Sequence, residues 1–128
     1  MVDQPELKLR GLRVLLVEDS FLVAASIART LEDLGWRVVG PFANVRDAMG
    51  VVDSGGCDAG VLDVNLGPET SEPLAAGLMD RGVPFFFVTG YLSPALRNPQ
   101  FAACKRVHKP LTGVMLADAL GASVEGKK

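Results

Sequence analysis

Five polar side chains close apolar runs in this sequence. Glu18 and Asp19 follow RVLLV (13–17), Asp63 closes AGVLD (59–63), Thr89 closes VPFFFVT (83–89), and Lys109 follows KRVH (105–108). Three carboxylates drawn into one cleft repel each other and raise at least one pKa. A divalent cation removes that repulsion. Mg²⁺ suits such a site because it takes hard oxygen ligands and keeps several waters. Formal charges of about −3 from the acids, +2 from the metal and +1 from Lys109 sum to about zero. A carboxylate beside such a metal can attack phosphorus and form an acyl phosphate. Asp63 is the candidate nucleophile, with Glu18 and Asp19 as further metal ligands. Lys109 and the Thr89 hydroxyl are candidates to hold phosphoryl oxygens.

Taken singly, each residue has a structural role open to it. Acids that end a strand often cap the next helix, which fits Glu18-Asp19 as well as metal binding does. Asp63 alone could be a turn residue. Thr89 before Gly90 could shape a turn, and Lys109-Pro110 means little in isolation. Their joint occurrence at four strand ends, in chain order, carries the functional reading.

The elements that must bring them together follow from apolar patterning. Short apolar runs mark strands at Arg13–Val17, Trp36–Gly40, Ala59–Asp63, Val83–Thr89 and Lys105–His108. Helical periodicity falls between them. Ser20 opens a helix with Val23, Ile27, Leu31 and Leu34 on one face, and Gly35 stops it. Asn44 caps a second helix carrying Val45, Ala48, Met49 and Val52, closed by Gly55-Gly56. A third runs through Leu74, Leu78 and Met79, after a loop at Val64–Thr70. Thr112 caps the last, with Val114, Leu116, Leu120 and Val124 as its apolar face. Pro94, Asn98 and Pro99 interrupt 90–104, so a short helical turn or a mobile segment is expected there.

Strands alternating with helices predict an α/β, flavodoxin-like, doubly wound fold. Its five parallel strands take the order 2-1-3-4-5 with helices on both faces, the fourth helix being short or irregular. In such folds ligands bind at the carboxyl ends of the strands, where the five polar residues fall. The domain spans 9–125, with frayed ends at 1–8 and 126–128.

The bulk numbers exclude some classes. The chain has 128 residues, 48% of them apolar and 22% charged, which is enough for one packed core. A net charge of −2 argues against nucleic acid or an anionic membrane as partner. Cys57, Cys104 and the single His108 do not make a zinc site, and the two thiols read as free in a reducing cytoplasm. There is no secretory signal and no apolar run long enough to span a membrane.

With these residues in view, the sequence resembles the response-regulator receiver domains of two-component signalling. The matching pieces are VLLVED (14–19), VLDVNLG (61–67), FVTGY (87–91) and HKPL (108–111). The resemblance implies that Glu18, Asp19 and Asp63 hold Mg²⁺, that Asn65 gives the metal a backbone carbonyl, and that Asp63 is phosphorylated by a sensor histidine kinase or phosphotransfer protein. Thr89 and Lys109 then bind the phosphoryl group. PFFFVTGY (84–91) is similar to a narrower set, the single-domain alphaproteobacterial receivers with a Phe-Ala-Thr-Gly type motif, with Val88 standing at the Ala position.

One departure bears on the readout. Receivers usually carry Tyr or Phe three residues before the conserved Lys, and here that residue is Arg106. The switch is expected to work through ordering of 90–104 instead of one aromatic ring. Tyr91 either tunes dephosphorylation, as its family position implies, or packs on the surface. His108 reads as a packing or surface residue and not as a phosphoacceptor, since it lacks an acidic partner.

The stretch after Val124 is too short for an output domain, so a stand-alone, monomeric switch is expected. It would bind a downstream protein through 90–124 or act as a phosphate sink, without enzymatic turnover. Two rivals remain. An aspartate-nucleophile phosphatase of the haloacid-dehalogenase type would carry a second Asp where Asn65 stands. A phosphorylation-independent pseudo-receiver would lack the intact set of Glu18, Asp19, Asp63, Thr89 and Lys109.

Overall fold

A computed structural model describes residues 11–90, 98–101 and 104–125 of the chain. In order these form β1 (Arg13–Val17), α1 (Phe21–Asp33), β2 (Arg37–Phe42), α2 (Val45–Ser54), β3 (Ala59–Asp63), β4 (Asn65–Leu66), β5 (Glu69–Thr70), α3 (Glu72–Asp80), β6 (Phe85–Thr89), a 3₁₀ turn at Pro99–Phe101, β7 (Arg106–His108) and α4 (Gly113–Glu125). Five strands make one parallel sheet in the order β2-β1-β3-β6-β7. Without the small β4–β5 pair this is the expected 2-1-3-4-5 arrangement.

The central strands are apolar on both sides because both faces are covered. Val14 and Leu16 of β1, Val61 of β3, and Phe86 and Val88 of β6 pack with Ile27 and Leu31 of α1 and Leu116 and Leu120 of α4. The alternate residues Leu15, Val17, Leu62 and Phe87 pack with Ala48 and Val52 of α2 and Leu74 and Leu78 of α3. The period of two along a strand thus divides one apolar run between two cores. Each fully buried Leu or Phe contributes roughly 1.5–3 kcal/mol by leaving water.

Caps fall where the side chains suggest. Asn44 Oδ1 accepts from the Asp47 amide at 2.8 Å, and Gly55 closes α2 in the left-handed region at φ 71°. Thr112 Oγ1 accepts from the Met115 amide at 3.2 Å. Gly60 is needed for packing, since a Cβ there would meet Leu78 Cδ1 at 2.9 Å.

Several expectations need correction. Strand β2 runs Arg37–Phe42, two residues further than expected, with a register shift opposite Leu15–Val17. Trp36, expected in β2, lies before it and is buried. Val114 is 72% exposed and does not share the apolar face of α4. It lies two positions from Leu116, and two residues on a helix point to nearly opposite sides. Residues 64–70 are not a plain loop but include the antiparallel β4–β5 pair, with Asn65 opposite Thr70 and Leu66 opposite Glu69. The Gly67-Pro68 connection, with Gly67 at φ 80°, has the glycine-first form that two-residue hairpins favour.

Within 90–104 the described residues contain the expected short turn, Pro99–Phe101. Phe101 is fully buried and stacks edge-on against Phe87, with ring centroids 5.8 Å apart. The Asn98 amide donates to Glu72 Oε2 at 2.8 Å. The expected frayed ends, 1–8 and 126–128, lie outside the described residues.

Candidate functional site

The carboxyl ends of β1, β3, β6 and β7 open onto one rim. Glu18, Asp19, Ser20, Asp63, Asn65, Gly90 and Lys109 line a shallow cavity of about 220 Å³ there. Glu18 and Asp63 are buried, at 3% and 4% exposure, while Asp19 is exposed. Parallel pairing explains the convergence. With Leu62 in register with Val17 and Asp63 with Val88, the residues after each strand reach the same edge.

Lys109 bridges the acids. Its Nζ lies 2.5 Å from Glu18 Oε1 and 3.3 Å from Asp63 Oδ2. The contact with Asp63 is a hydrogen bond, whereas the closer one with Glu18 is an ion pair without hydrogen-bond alignment. The Ser20 amide donates to Glu18 Oε2 at 3.0 Å, so the residue that opens α1 also holds a site carboxylate. Asp63 Oδ1 is buried with no hydrogen-bond partner.

The electrostatics follow from burial. Desolvation pushes the Asp63 carboxyl up, Glu18 pushes it further, and Lys109 only partly opposes them, leaving it at about 7. Burial also works to raise Glu18, but the neighbouring Asp63 carboxyl, the Lys109 ammonium and the Ser20 amide together hold it below its ordinary value. Asp19 is raised, first by burial and then by Glu18. On Lys109 burial acts downward, and the two carboxylates outweigh it. Lys109 alone thus compensates the three acids only in part, and Asp63 and Asp19 stay raised.

A divalent metal fits this donor set. Glu18, Asp19 and Asp63 each offer an oxygen, and these lie within 4.8 Å of one another. Opposite ligands of octahedral Mg²⁺ stand about 4.2 Å apart. The cluster therefore closes on such an ion with small side-chain movements. The unpartnered Asp63 Oδ1 is the kind of buried acceptor that a cation or a proton must satisfy.

The geometry has close counterparts. The solution structure of SdrG from Sphingomonas melonis Fr1 is 37% identical, with a TM-score of 0.79; the match covers 89% of this chain and 97% of that one. The chain belongs to the response-regulator receiver domains. The beryllofluoride-activated conformation of SdrG, from Pseudomonas melonis Fr1, matches at 38% identity and a TM-score of 0.73, over 89% of this chain and 98% of that one. A CheY-like receiver domain protein from Methanospirillum hungatei JF-1 shares the fold, at 22% identity and a TM-score of 0.76 over 91% and 96% of the two chains. No protein-family model and no curated protein matches the sequence.

Within this receiver, the rim gathers Glu18, Asp19, Asp63, Asn65 and Lys109 around the cavity, while Thr89 is absent from its lining. Thr89 stands at the end of β6, 8% exposed, and its Oγ1 is hydrogen-bonded to His108 Nδ1 at 3.0 Å. The sequence reading of His108 as a plain packing or surface residue missed this contact. Only the register of β6 with β7, which sets Thr89 opposite His108, could have revealed it. Arg106 is exposed on β7 opposite Phe87, so no aromatic ring occupies that position. Tyr91 lies outside the described residues. Among the described residues, no helix is long and apolar enough to cross a membrane.

Proposed function

We propose that this receiver accepts a phosphoryl group on Asp63 from the phosphohistidine of a sensor kinase or phosphotransfer protein, and that the modified domain signals by binding another protein or by draining phosphate. The observation that carries the reading is the buried Asp63 carboxylate, flanked by Glu18 and by Lys109 at 3.3 Å, with Oδ1 unpartnered.

In the transfer an Asp63 oxygen forms the bond to phosphorus. The bond from phosphorus to the donor imidazole nitrogen breaks, and its electron pair stays with the imidazole. Glu18, Asp19, Asp63 and the Asn65 backbone carbonyl would hold Mg²⁺. When bound, that ion supplies neutralising charge to the acids and to the phosphoryl oxygens. Lys109, already between Glu18 and Asp63, is within reach of a phosphoryl oxygen on Asp63. The Thr89 hydroxyl is the second donor. Neither residue turns over a separate substrate, so the chemistry is that of a switch.

The test is to incubate the protein with Mg²⁺ and acetyl phosphate, weigh it intact, and repeat with Asp63→Ala. One added phosphoryl group, labile to hydroxylamine and missing from the variant, is expected. An unmodified wild-type chain, with both acetyl phosphate and a kinase as donor, would sink the reading.

A further inference from the structure

The geometry points to His108 as a positioning residue that parks the Thr89 hydroxyl away from Asp63 until a phosphoryl group draws it in. This rests on the phosphoacceptor reading of Asp63 and adds a residue which that reading does not use. Three observations carry it. Thr89 and His108 are register partners at the ends of β6 and β7, and the Lys109 amide donates to the Thr89 carbonyl at 2.9 Å. The two backbones are therefore held together. The Thr89 hydroxyl meets His108 Nδ1 at 3.0 Å, and Thr89 is not among the residues that line the cavity with Asp63 and Lys109. Finally, His108 is exposed, so its ring does no core packing that would account for its place.

We assign His108 the tautomer with its proton on Nε2, in which Nδ1 accepts from the Thr89 hydroxyl. The same proton is what a phosphoryl oxygen on Asp63 would take. One hydroxyl proton cannot serve both acceptors, so the two contacts compete. A change of one staggered Thr89 rotamer, about 120° in χ1, moves the hydroxyl between directions. Breaking one such contact has a modest net effect, so His108 would weaken phosphoryl-group binding by about twofold to tenfold.

The chain has a single histidine, so ring-nitrogen NMR of the ¹⁵N-labelled protein reports on His108 alone. Mg²⁺ and beryllofluoride serve as the phosphoryl mimic. The Nδ1 resonance is expected to move, on adding the mimic, to the position it has in unliganded Thr89→Val. His108→Phe should bind the mimic about twofold to tenfold more tightly. His108→Asn, which returns an acceptor near Nδ1, should bind close to wild type. In a Thr89→Val background, His108→Phe should change nothing. The parking role is overturned if the Asp63 and Gly90 amides respond to the mimic while the His108 ring does not. It is equally overturned if His108→Phe acts the same with and without the Thr89 hydroxyl. If no amide responds at all, the phosphoacceptor reading itself falls and takes the parking role with it.

Discussion

Lys109 lies closer to Glu18 than to Asp63, at 2.5 Å against 3.3 Å. The ammonium thus serves first as counterion to the buried acid that follows β1, and only second to the candidate phosphoacceptor. Lys109→Ala would leave two buried carboxylates without a cation. It should lower the metal-free unfolding free energy by about 2 kcal/mol, less than for a fully buried pair, because the Lys109 side chain is 22% exposed. Urea midpoints in the presence of a chelator check this. Added Mg²⁺ should recover part of the loss, since it supplies the missing positive charge.

Asp63→Asn should act in opposite directions on stability and function. It removes one of two buried carboxylates that oppose each other and leaves the Lys109–Glu18 pair in place. The metal-free variant should be more stable than wild type by about 1 kcal/mol. Mg²⁺ should raise its melting temperature less than that of wild type, because one ligand oxygen has become a neutral amide. Thermal melts with and without Mg²⁺ read both effects.

The raised pKa of Asp63, about 7, sets a pH dependence. A carboxyl whose folded-state pKa exceeds its unfolded value favours the fold while protonated. That contribution is present at acid pH and is lost as pH rises through about 7. Metal-free protein should therefore lose stability between about pH 4 and about pH 7, the unfolded and folded values of Asp63. A Mg²⁺ ion held by Asp63 would compete with its proton, so Mg²⁺ affinity should rise over the same interval, with proton release on binding. Calorimetric Mg²⁺ titrations in buffers of different ionisation enthalpy measure that release. A proton count of zero near pH 7 would contradict the assignment.

Phe101 joins the Pro99–Phe101 turn to the sheet. It is fully buried and stacks on Phe87, which in turn stacks on Phe85 at a centroid distance of 5.5 Å. Phe101→Ala should cost about 3–5 kcal/mol through the cavity it leaves. Amide hydrogen exchange should rise at Cys104, whose amide donates to the Phe101 carbonyl. A variant as stable as wild type would show that the turn is not fastened to the core.

Much of the site was legible without coordinates. Apolar runs at 13–17, 59–63 and 83–89 are closed by Glu18-Asp19, Asp63 and Thr89, and in a parallel sheet every strand ends on the same rim. Chain order and residue type were enough to bring the acids and Lys109 together. The edge strand β2 was harder, because its exposed residues and register shift weaken the apolar signal that marks a buried strand. The β4–β5 pair escaped because two-residue strands carry no periodicity to read.

What the sequence by itself determined was the inventory of the rim, three carboxylates, a hydroxyl and an ammonium, because backbone pairing delivers strand ends to one edge whatever the side chains then do. What only the tertiary structure decided was which of these groups meet. Lys109 takes Glu18 before Asp63, and the Thr89 hydroxyl takes His108 in place of the cavity. Such choices depend on ångström differences set by the register of β6 with β7 and by the entry of α1 at Ser20. Residues 19 positions apart, such as Thr89 and His108, have no local spacing that encodes their contact.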